Sequence, residues 1–252
     1  NFPFEARIDS IVSWFSLPIN KRPRFCSLYF HEPDWTGHET GPRSQETEAV
    51  VSHLDSLFGD LISKLEQLPI SNNLNIIAVA DHGMAEISSE RTVDLSAYTD
   101  MSQIIQEGSG PYAFLYSKKK NIIEPAVDQL KKAEHISVYL KSDIPERFHF
   151  KTHHRIKDAL IIADEGWYIQ NQAISSSSTA GEYIPTGGTH GYDNQLKSMH
   201  ALFIAQGPAF KKDIVTEPFE NVNIYPMIAH ILGIDPSEKI DGNLNNIKHL
   251  LK

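Results

Sequence analysis

Residues 75–84 read Asn-Ile-Ile-Ala-Val-Ala-Asp-His-Gly-Met, an apolar run followed at once by two residues that can bind a metal. A short, bounded run of this kind predicts a buried strand over Asn75–Ala80. Another apolar run, Arg24–Phe30, contains aromatic residues and predicts a second buried strand. Between them, Ser44–Leu68 repeats apolar residues at three- and four-residue steps, which predicts a long amphipathic helix. Strand, helix and strand in this order predict a right-handed parallel crossover.

The rest of the chain continues to mix strand and helix patterns. The predicted fold class is α/β, a mostly parallel sheet flanked by helices with a small inserted α+β lobe at about residues 95–155. No stretch resembles an interdomain linker, so residues 1–252 are predicted to form one domain. The polar residues 170–188 predict a loop. Further helices are predicted over Glu5–Leu17, Ile123–Ala133 and Val222–Leu232, and further strands over Pro111–Ser117, Ile136–Lys141, Ala159–Ala163 and Ala201–Ala205.

Charge and composition limit the functions open to the chain. The formal net charge of -9 argues against a stable nucleic-acid partner, because binding a phosphate backbone requires a basic surface. It does not argue against an enzyme that acts on phosphate esters, since a bound metal supplies local positive charge. A single cysteine, Cys26, excludes an intrachain disulfide. No run of about 18 apolar residues is present, so no transmembrane segment is predicted.

Three short stretches combine histidine or aspartate with glycine. They are Glu32-Pro33-Asp34-Trp35-Thr36-Gly37-His38, Asp81-His82-Gly83-Met84 and Gly187-Gly188-Thr189-His190-Gly191-Tyr192-Asp193. Imidazole and carboxylate groups together suit zinc, and oxygen-rich sites suit magnesium or calcium. Two aspartates and three histidines exceed what one catalytic zinc uses, so they indicate two ions. Two metals about 4 Å apart can clamp the attacking and leaving oxygens of a phosphoryl displacement.

Each stretch also has a purely structural interpretation. An aspartate and a histidine at a strand end are common in a turn that caps a helix. The chain has 12 histidines, and most histidines in a protein are solvated or hydrogen-bonded rather than bound to a metal. What favours a site is the joint placement of Asp34, His38, Asp81 and His82 just after predicted strands, where open parallel sheets bind ligands.

The ordered motifs resemble the nucleotide pyrophosphatase/phosphodiesterase family, also called type I phosphodiesterases, within the alkaline phosphatase superfamily. The resemblance covers nearly the whole chain. The matching stretches are Pro3–Arg7, Trp14–Pro18, Tyr29–Pro42, Val79–Met84, Arg155–Trp167, Gly188–Asp193, Met199–Phe210 and Pro218–Pro226. The resemblance implies an alkaline-phosphatase-like core of which this chain is the C-terminal portion, with the N-terminal part absent.

Two zinc ions are implied by the same resemblance. One would be bound by Asp34, His38 and His190. The other would be bound by Asp81 and His82 together with an aspartate and a threonine nucleophile that lie outside this chain. No threonine in the present sequence occupies a matching motif, so the catalytic nucleophile is not assigned to any residue here.

The implied activity is hydrolysis of phosphodiester or pyrophosphate bonds, in nucleotides or related esters, through a covalent threonine intermediate. A chain without the nucleophile is expected to be inactive alone and to require the N-terminal part of the same protein as its partner. Family membership implies a periplasmic or extracellular location. The alternatives are another phosphoryl-transfer enzyme of the superfamily and a zinc-binding pseudoenzyme. The exact ester remains open among nucleotides, dinucleotides, nucleotide sugars and phospholipid-like esters.

Overall fold

Regular spacing of leucine makes one helix of the protein strongly amphipathic. Leu57, Leu61 and Leu65 lie four residues apart in the helix Gln45–Glu66, and all three are buried. The Ser44 hydroxyl accepts a 3.0 Å hydrogen bond from the Thr47 backbone N–H, which caps the first turn of this helix. The computed structural model describes residues 2–170 and 186–252. Their backbone divides into two compact units.

The first unit comprises residues 1–33, 48–81 and 201–252. Helix α1 (Phe4–Phe15) packs Ile8 and Ile11 against the leucines of the long helix, which is numbered α3 below. Strands β1 (Ile76–Val79) and β10 (Phe203–Gln206) form an antiparallel pair that aligns Ile76 with Gln206. Helix α5 (Ile224–Leu232) contributes Met227 to a second apolar cluster with Phe210 and the C-terminal leucines.

The second unit comprises residues 34–47 and 82–200, described except for 171–185. Its main sheet has four antiparallel strands and is covered by helix α4 (Ile123–Leu130), which buries Val127 and Leu130. In spatial order the strands of this sheet are β4 (Ile105–Glu107), β5 (Tyr112–Tyr116), β7 (Ala159–Ala163) and β6 (Ile136–Leu140). All five residues of β7 are buried, which explains why its sequence is continuously apolar.

Short elements complete the second unit. Helix α2 spans Asp34–Thr40. Strands β2 (Ala85–Glu86) and β9 (Gly188–Thr189) pair antiparallel. Strands β3 (Thr92–Val93) and β8 (Tyr168–Ile169) pair parallel. Within residues 2–170 and 186–252, no helix is long and apolar enough to cross a membrane.

Most predicted elements are confirmed within a few residues, and the chain is a mixed α/β protein. The strand predicted over Arg24–Phe30 is wrong: Cys26, Leu28 and Phe30 pack against the α1–α3 cluster, yet no described strand pairs with this segment. Alternating burial had the pattern of a strand, but a strand also needs a hydrogen-bonded neighbour. The polar segment that follows Phe30 contains helix α2.

The prediction of a mostly parallel sheet is also wrong for the described pairings. Of these pairings only β3 with β8 is parallel. An apolar run indicates that both faces of a strand are buried. It does not indicate whether the neighbouring strand is parallel or antiparallel. The parallel crossover expected between residues 24 and 80 is therefore not formed in the described part of the chain. The loop predicted over 170–188 lies mostly at 171–185, outside the described residues.

Candidate metal centre

Helix α2 brings two candidate ligands onto one of its faces. Asp34 and His38 are four residues apart, and side chains at that spacing lie one above the other on a helix. The His38 Nε2 atom lies 3.4 Å from Asp34 Oδ1. Both side chains are a little over one-third exposed, so the pair can be reached from solvent.

A third candidate ligand follows strand β9. The pairing of β9 with β2 aligns Thr189 with Ala85, and His190 is the next residue along the chain. Its Nε2 atom lies 3.6 Å from Asp34 Oδ1. The ligand atoms of Asp34, His38 and His190 all lie within 4.8 Å of one another, the one such group of three or more in the described part of the chain.

The chemistry of these donors fits a zinc ion. Asp34 Oδ1 is buried and has no hydrogen-bond partner among the described residues, although two imidazole nitrogens flank it. A buried carboxylate oxygen without a partner is costly unless a cation is present. Ligands about 2.1 Å from a tetrahedral zinc lie roughly 3.4 Å apart, close to the two spacings observed here. Three protein ligands also leave the fourth position open, as in catalytic zinc sites.

Backbone carbonyls orient two of the histidine rings. His38 Nδ1 donates to the Gly188 carbonyl oxygen at 2.8 Å, so Nε2 is the ring nitrogen that can bind a metal. His82 Nδ1 similarly donates to the Gly83 carbonyl oxygen at 2.9 Å. The His82 ring stacks on the His190 ring with a centroid separation of 3.4 Å. His82 therefore lies directly beside the three-residue group.

Asp81 belongs to the first unit, where it follows β1 and has an exposed side chain. The preceding residue, Ala80, donates its backbone N–H to the Leu202 carbonyl oxygen at 3.0 Å. This extends the β1–β10 pairing to the position just before Asp81. The structure thus brings together Asp34, His38 and His190, with His82 beside them, and places Asp81 at the end of a strand of the other unit.

Glycines allow α2 to approach β9 closely. A Cβ added at Gly37 would lie 2.7 Å from the Met84 sulfur, and one added at Gly188 would lie 2.6 Å from the same atom. Gly187 has a φ of +84°, and a Cβ there would overlap the His38 carbonyl oxygen. Since His38 and His190 lie on α2 and just after β9, this close approach sets the separation of the two rings.

The segment after His190 is tied to the rest of the second unit by two side chains. The buried Tyr192 hydroxyl donates to the Trp167 carbonyl oxygen at 2.8 Å. Burial raises the pKa of Tyr192 to about 12, so this hydroxyl stays protonated at neutral pH. Asp193 accepts two hydrogen bonds from the Arg147 guanidinium, at 2.7 and 2.5 Å.

Sequence reasoning did not identify Met84 or Arg147 as residues that shape this centre. Met84 ends the stretch Asp81-His82-Gly83-Met84, but an apolar residue beside glycine gives no chemical signal. Arg147 is 46 residues from Asp193, and nothing in the spacing of the sequence connects them.

Comparison with known proteins finds relatives that match over nearly the whole chain. The family model described as type I phosphodiesterase / nucleotide pyrophosphatase matches residues 1–193. The chain is 38% identical over 250 residues to the mouse protein "Bis(5'-adenosyl)-triphosphatase enpp4", covering 98% of the chain and 52% of the mouse protein. It is 35% identical over 260 residues to "Venom phosphodiesterase" of Naja atra, covering 99% of the chain and 30% of that protein. The chain thus spans about half the length of the first relative and less of the second.

Solved structures show the same relationship. The structure of murine ectonucleotide pyrophosphatase / phosphodiesterase 5 matches with a TM-score of 0.85 at 33% identity, covering 99% of this chain and 64% of that one. An inactive variant of that mouse protein, in complex with AMP, matches equally well. These matches support the expected alkaline-phosphatase-like α/β fold and confirm the resemblance found in the sequence motifs. The chain belongs to the type I phosphodiesterase / nucleotide pyrophosphatase family.

Proposed function

We propose that the protein hydrolyses phosphodiester or pyrophosphate bonds in nucleotides or related esters, with zinc bound by Asp34, His38 and His190. The buried Asp34 Oδ1 atom, which lies between two imidazole nitrogens and has no hydrogen-bond partner among the described residues, is the observation that carries this proposal. The mouse and cobra relatives are named as a triphosphatase and a phosphodiesterase, and a murine relative was solved with AMP. These names favour nucleotides as the substrate class.

The residues of this chain prepare the centre for a negatively charged substrate. The Asp34 carboxylate would neutralise one of the two positive charges of a bound zinc ion and leave the centre with a net positive charge. As zinc ligands the histidines would be neutral and would add no negative charge that repels a phosphate. The exposed sides of Asp34, His38 and His190 leave a direction from which a phosphoryl group can approach. Bound zinc acts as a Lewis acid that stabilises negative charge on phosphoryl oxygens.

A second zinc ion forms part of the proposal. Asp81 and His82 would bind it together with an aspartate and a threonine nucleophile from outside this chain. The stacking of His82 on His190 supports a second metal close to the first, because the two rings are 3.4 Å apart. The proposed reaction passes through a covalent intermediate on that threonine. We also propose that residues 1–252 form one catalytic domain with a lobe at about 95–155. The proposed location of the protein is periplasmic or extracellular.

Zinc binding tests the ligand assignment separately from catalysis. Calorimetry should show that His38→Ala and His190→Ala each lose most of the zinc affinity, because either change leaves two ligands at the centre. His53→Ala serves as the control, since His53 is an exposed residue of α3. Unchanged affinity and stoichiometry in His38→Ala would show that the ligand assignment is wrong.

Catalysis is then measured on a protein that contains both this sequence and the proposed threonine nucleophile, because that threonine is not among residues 1–252. Bis-p-nitrophenyl phosphate should be cleaved in preference to p-nitrophenyl phosphate, and chelation of zinc should abolish the activity. Preference for the monoester would point to another phosphoryl-transfer enzyme of the superfamily. Zinc binding without cleavage of either ester would indicate a pseudoenzyme.

A further inference from the structure

The second unit contains a cavity that the metal centre does not use. Its volume is about 500 Å³, within the range of ~300–1,000 Å³ that is usual for small-ligand sites. Four lysines line it, Lys118, Lys119, Lys120 and Lys141. None of its lining residues belongs to the candidate metal ligands. The cavity is therefore a separate feature of the same unit.

Positive charge exceeds negative charge in this cavity. Four lysines and two acidic residues, Glu124 and Asp158, are among its lining residues. The whole chain has a net charge of -9, so the sign of the cavity is opposite to that of the protein. Within the described residues, the ammonium groups of Lys118, Lys119 and Lys120 form no ion pair. Like charges that outnumber the counter-charges near them repel one another, and a bound anion relieves that repulsion.

Lys141 is fixed in place, unlike the lysines of the 118–120 run. Its ammonium group donates to the carbonyl oxygens of His153 and Ile156 at 3.0 and 2.9 Å. An ammonium group has three donors, so one N–H remains for a ligand after these two bonds. The cavity thus combines one positioned ammonium with three exposed ones that can adjust to the ligand.

We propose that this cavity binds a small anion that carries several phosphate groups. Ammonium groups bind phosphate as point charges, and a chain of linked phosphates could contact several lysines at once. This proposal is independent of the metal centre and of the hydrolytic activity proposed above.

The test is calorimetric titration with inorganic tripolyphosphate at low salt. The pocket variant Lys118→Gln/Lys119→Gln/Lys120→Gln removes the three adjustable ammonium groups. The matched control is Lys212→Gln/Lys239→Gln/Lys248→Gln, which changes the net charge equally at three exposed lysines of the first unit. His38→Ala, measured in parallel, reports any binding of the anion at the metal centre.

We expect the pocket variant to lose at least about tenfold in tripolyphosphate affinity and the control less than about twofold, since screened charges act over short range. His38→Ala should bind as the wild type does. Binding by the wild type should also weaken between 10 and 150 mM salt, where the Debye length falls from about 30 to 8 Å. Equal loss in both lysine variants, no loss in the pocket variant, or complete loss in His38→Ala would each overturn the proposal.

Discussion

Arg147 forms a bidentate ion pair with Asp193. Asp193 lies three residues after the candidate ligand His190. Its Nη1 and Nη2 atoms lie 2.7 and 2.5 Å from the two carboxylate oxygens, and Nη1 also donates to Asn194 Oδ1 at 2.7 Å. Both side chains of the ion pair are less than one-third exposed. A planar guanidinium that binds both carboxylate oxygens fixes orientation as well as distance. The ion pair therefore restrains the segment that carries His190.

Arg147→Lys is expected to lower zinc affinity by about tenfold, because groups that orient a metal ligand are typically worth 10–100-fold. Lysine keeps the charge but cannot bond both carboxylate oxygens in the same plane. Zinc affinity is measured by competition with a chromogenic chelator. Arg155→Lys, at an exposed position, is the control and should leave the affinity unchanged. Wild-type affinity in Arg147→Lys would show that the ion pair does not restrain His190.

Local sequence patterns predicted the elements of this protein better than their pairing. Apolar spacing in α3 and the continuous apolar run of β7 depend on residues that are neighbours along the chain, and both predictions are confirmed. The direction of a strand relative to its partner depends on residues far apart, such as Ile76 and Gln206. No local pattern encodes that relation, and the predicted parallel sheet failed for this reason.

The candidate site shows the same limit. Motifs with histidine and aspartate beside glycine indicated Asp34, His38 and His190, because their side chains have recognisable chemistry. The contacts that bring them together involve Met84 and the backbone of Gly188, and such contacts are visible only in the folded chain.

The same ion pair predicts how stability depends on pH. Burial opposes ionisation of Asp193, but hydrogen bonds from Arg147 and from the Gln195 backbone outweigh it, so the pKa of Asp193 lies below its ordinary value of 3.8. A carboxyl group with a lowered pKa in the folded state stabilises the protein above pH ~4, and this contribution disappears as pH falls through the folded pKa. Acid should therefore lower the free energy of unfolding of the wild-type protein by an increment that is absent in Asp193→Asn, which has no carboxyl group at this position.

Urea unfolding of both proteins between pH 6 and pH 3 measures this effect. The difference in the free energy of unfolding should be largest at pH 6 and should shrink toward pH 3. A difference that stays constant across this range would mean that ionisation of Asp193 does not contribute to stability.

A core substitution tests the central position of β7 in the four-stranded sheet. Ile161 is fully buried and is aligned with Ala113 of β5 on one side and Val138 of β6 on the other. Ile161→Ala should lower the free energy of unfolding by about 2–5 kcal/mol, because it removes buried apolar surface and leaves a cavity. Val215→Ala is the control: Val215 is 99% exposed, so the change should stay within about 0.5 kcal/mol. A small effect at Ile161 would contradict its placement in the core.

Two glycine substitutions should change stability in opposite directions. Gly187→Ala forces an L-residue to a φ of +84° and drives its Cβ into the His38 carbonyl oxygen, so it should cost about 1–3 kcal/mol or more and weaken zinc binding. Gly59→Ala lies inside α3, where an added Cβ meets no atom within 4 Å, and should stabilise the protein by roughly 0.5–1 kcal/mol. Urea unfolding and zinc titration of both variants separate the general effect of removing a glycine from the specific contact at His38. If Gly187→Ala kept both its stability and its zinc affinity, the close approach of α2 to β9 would not be what determines the separation of His38 and His190.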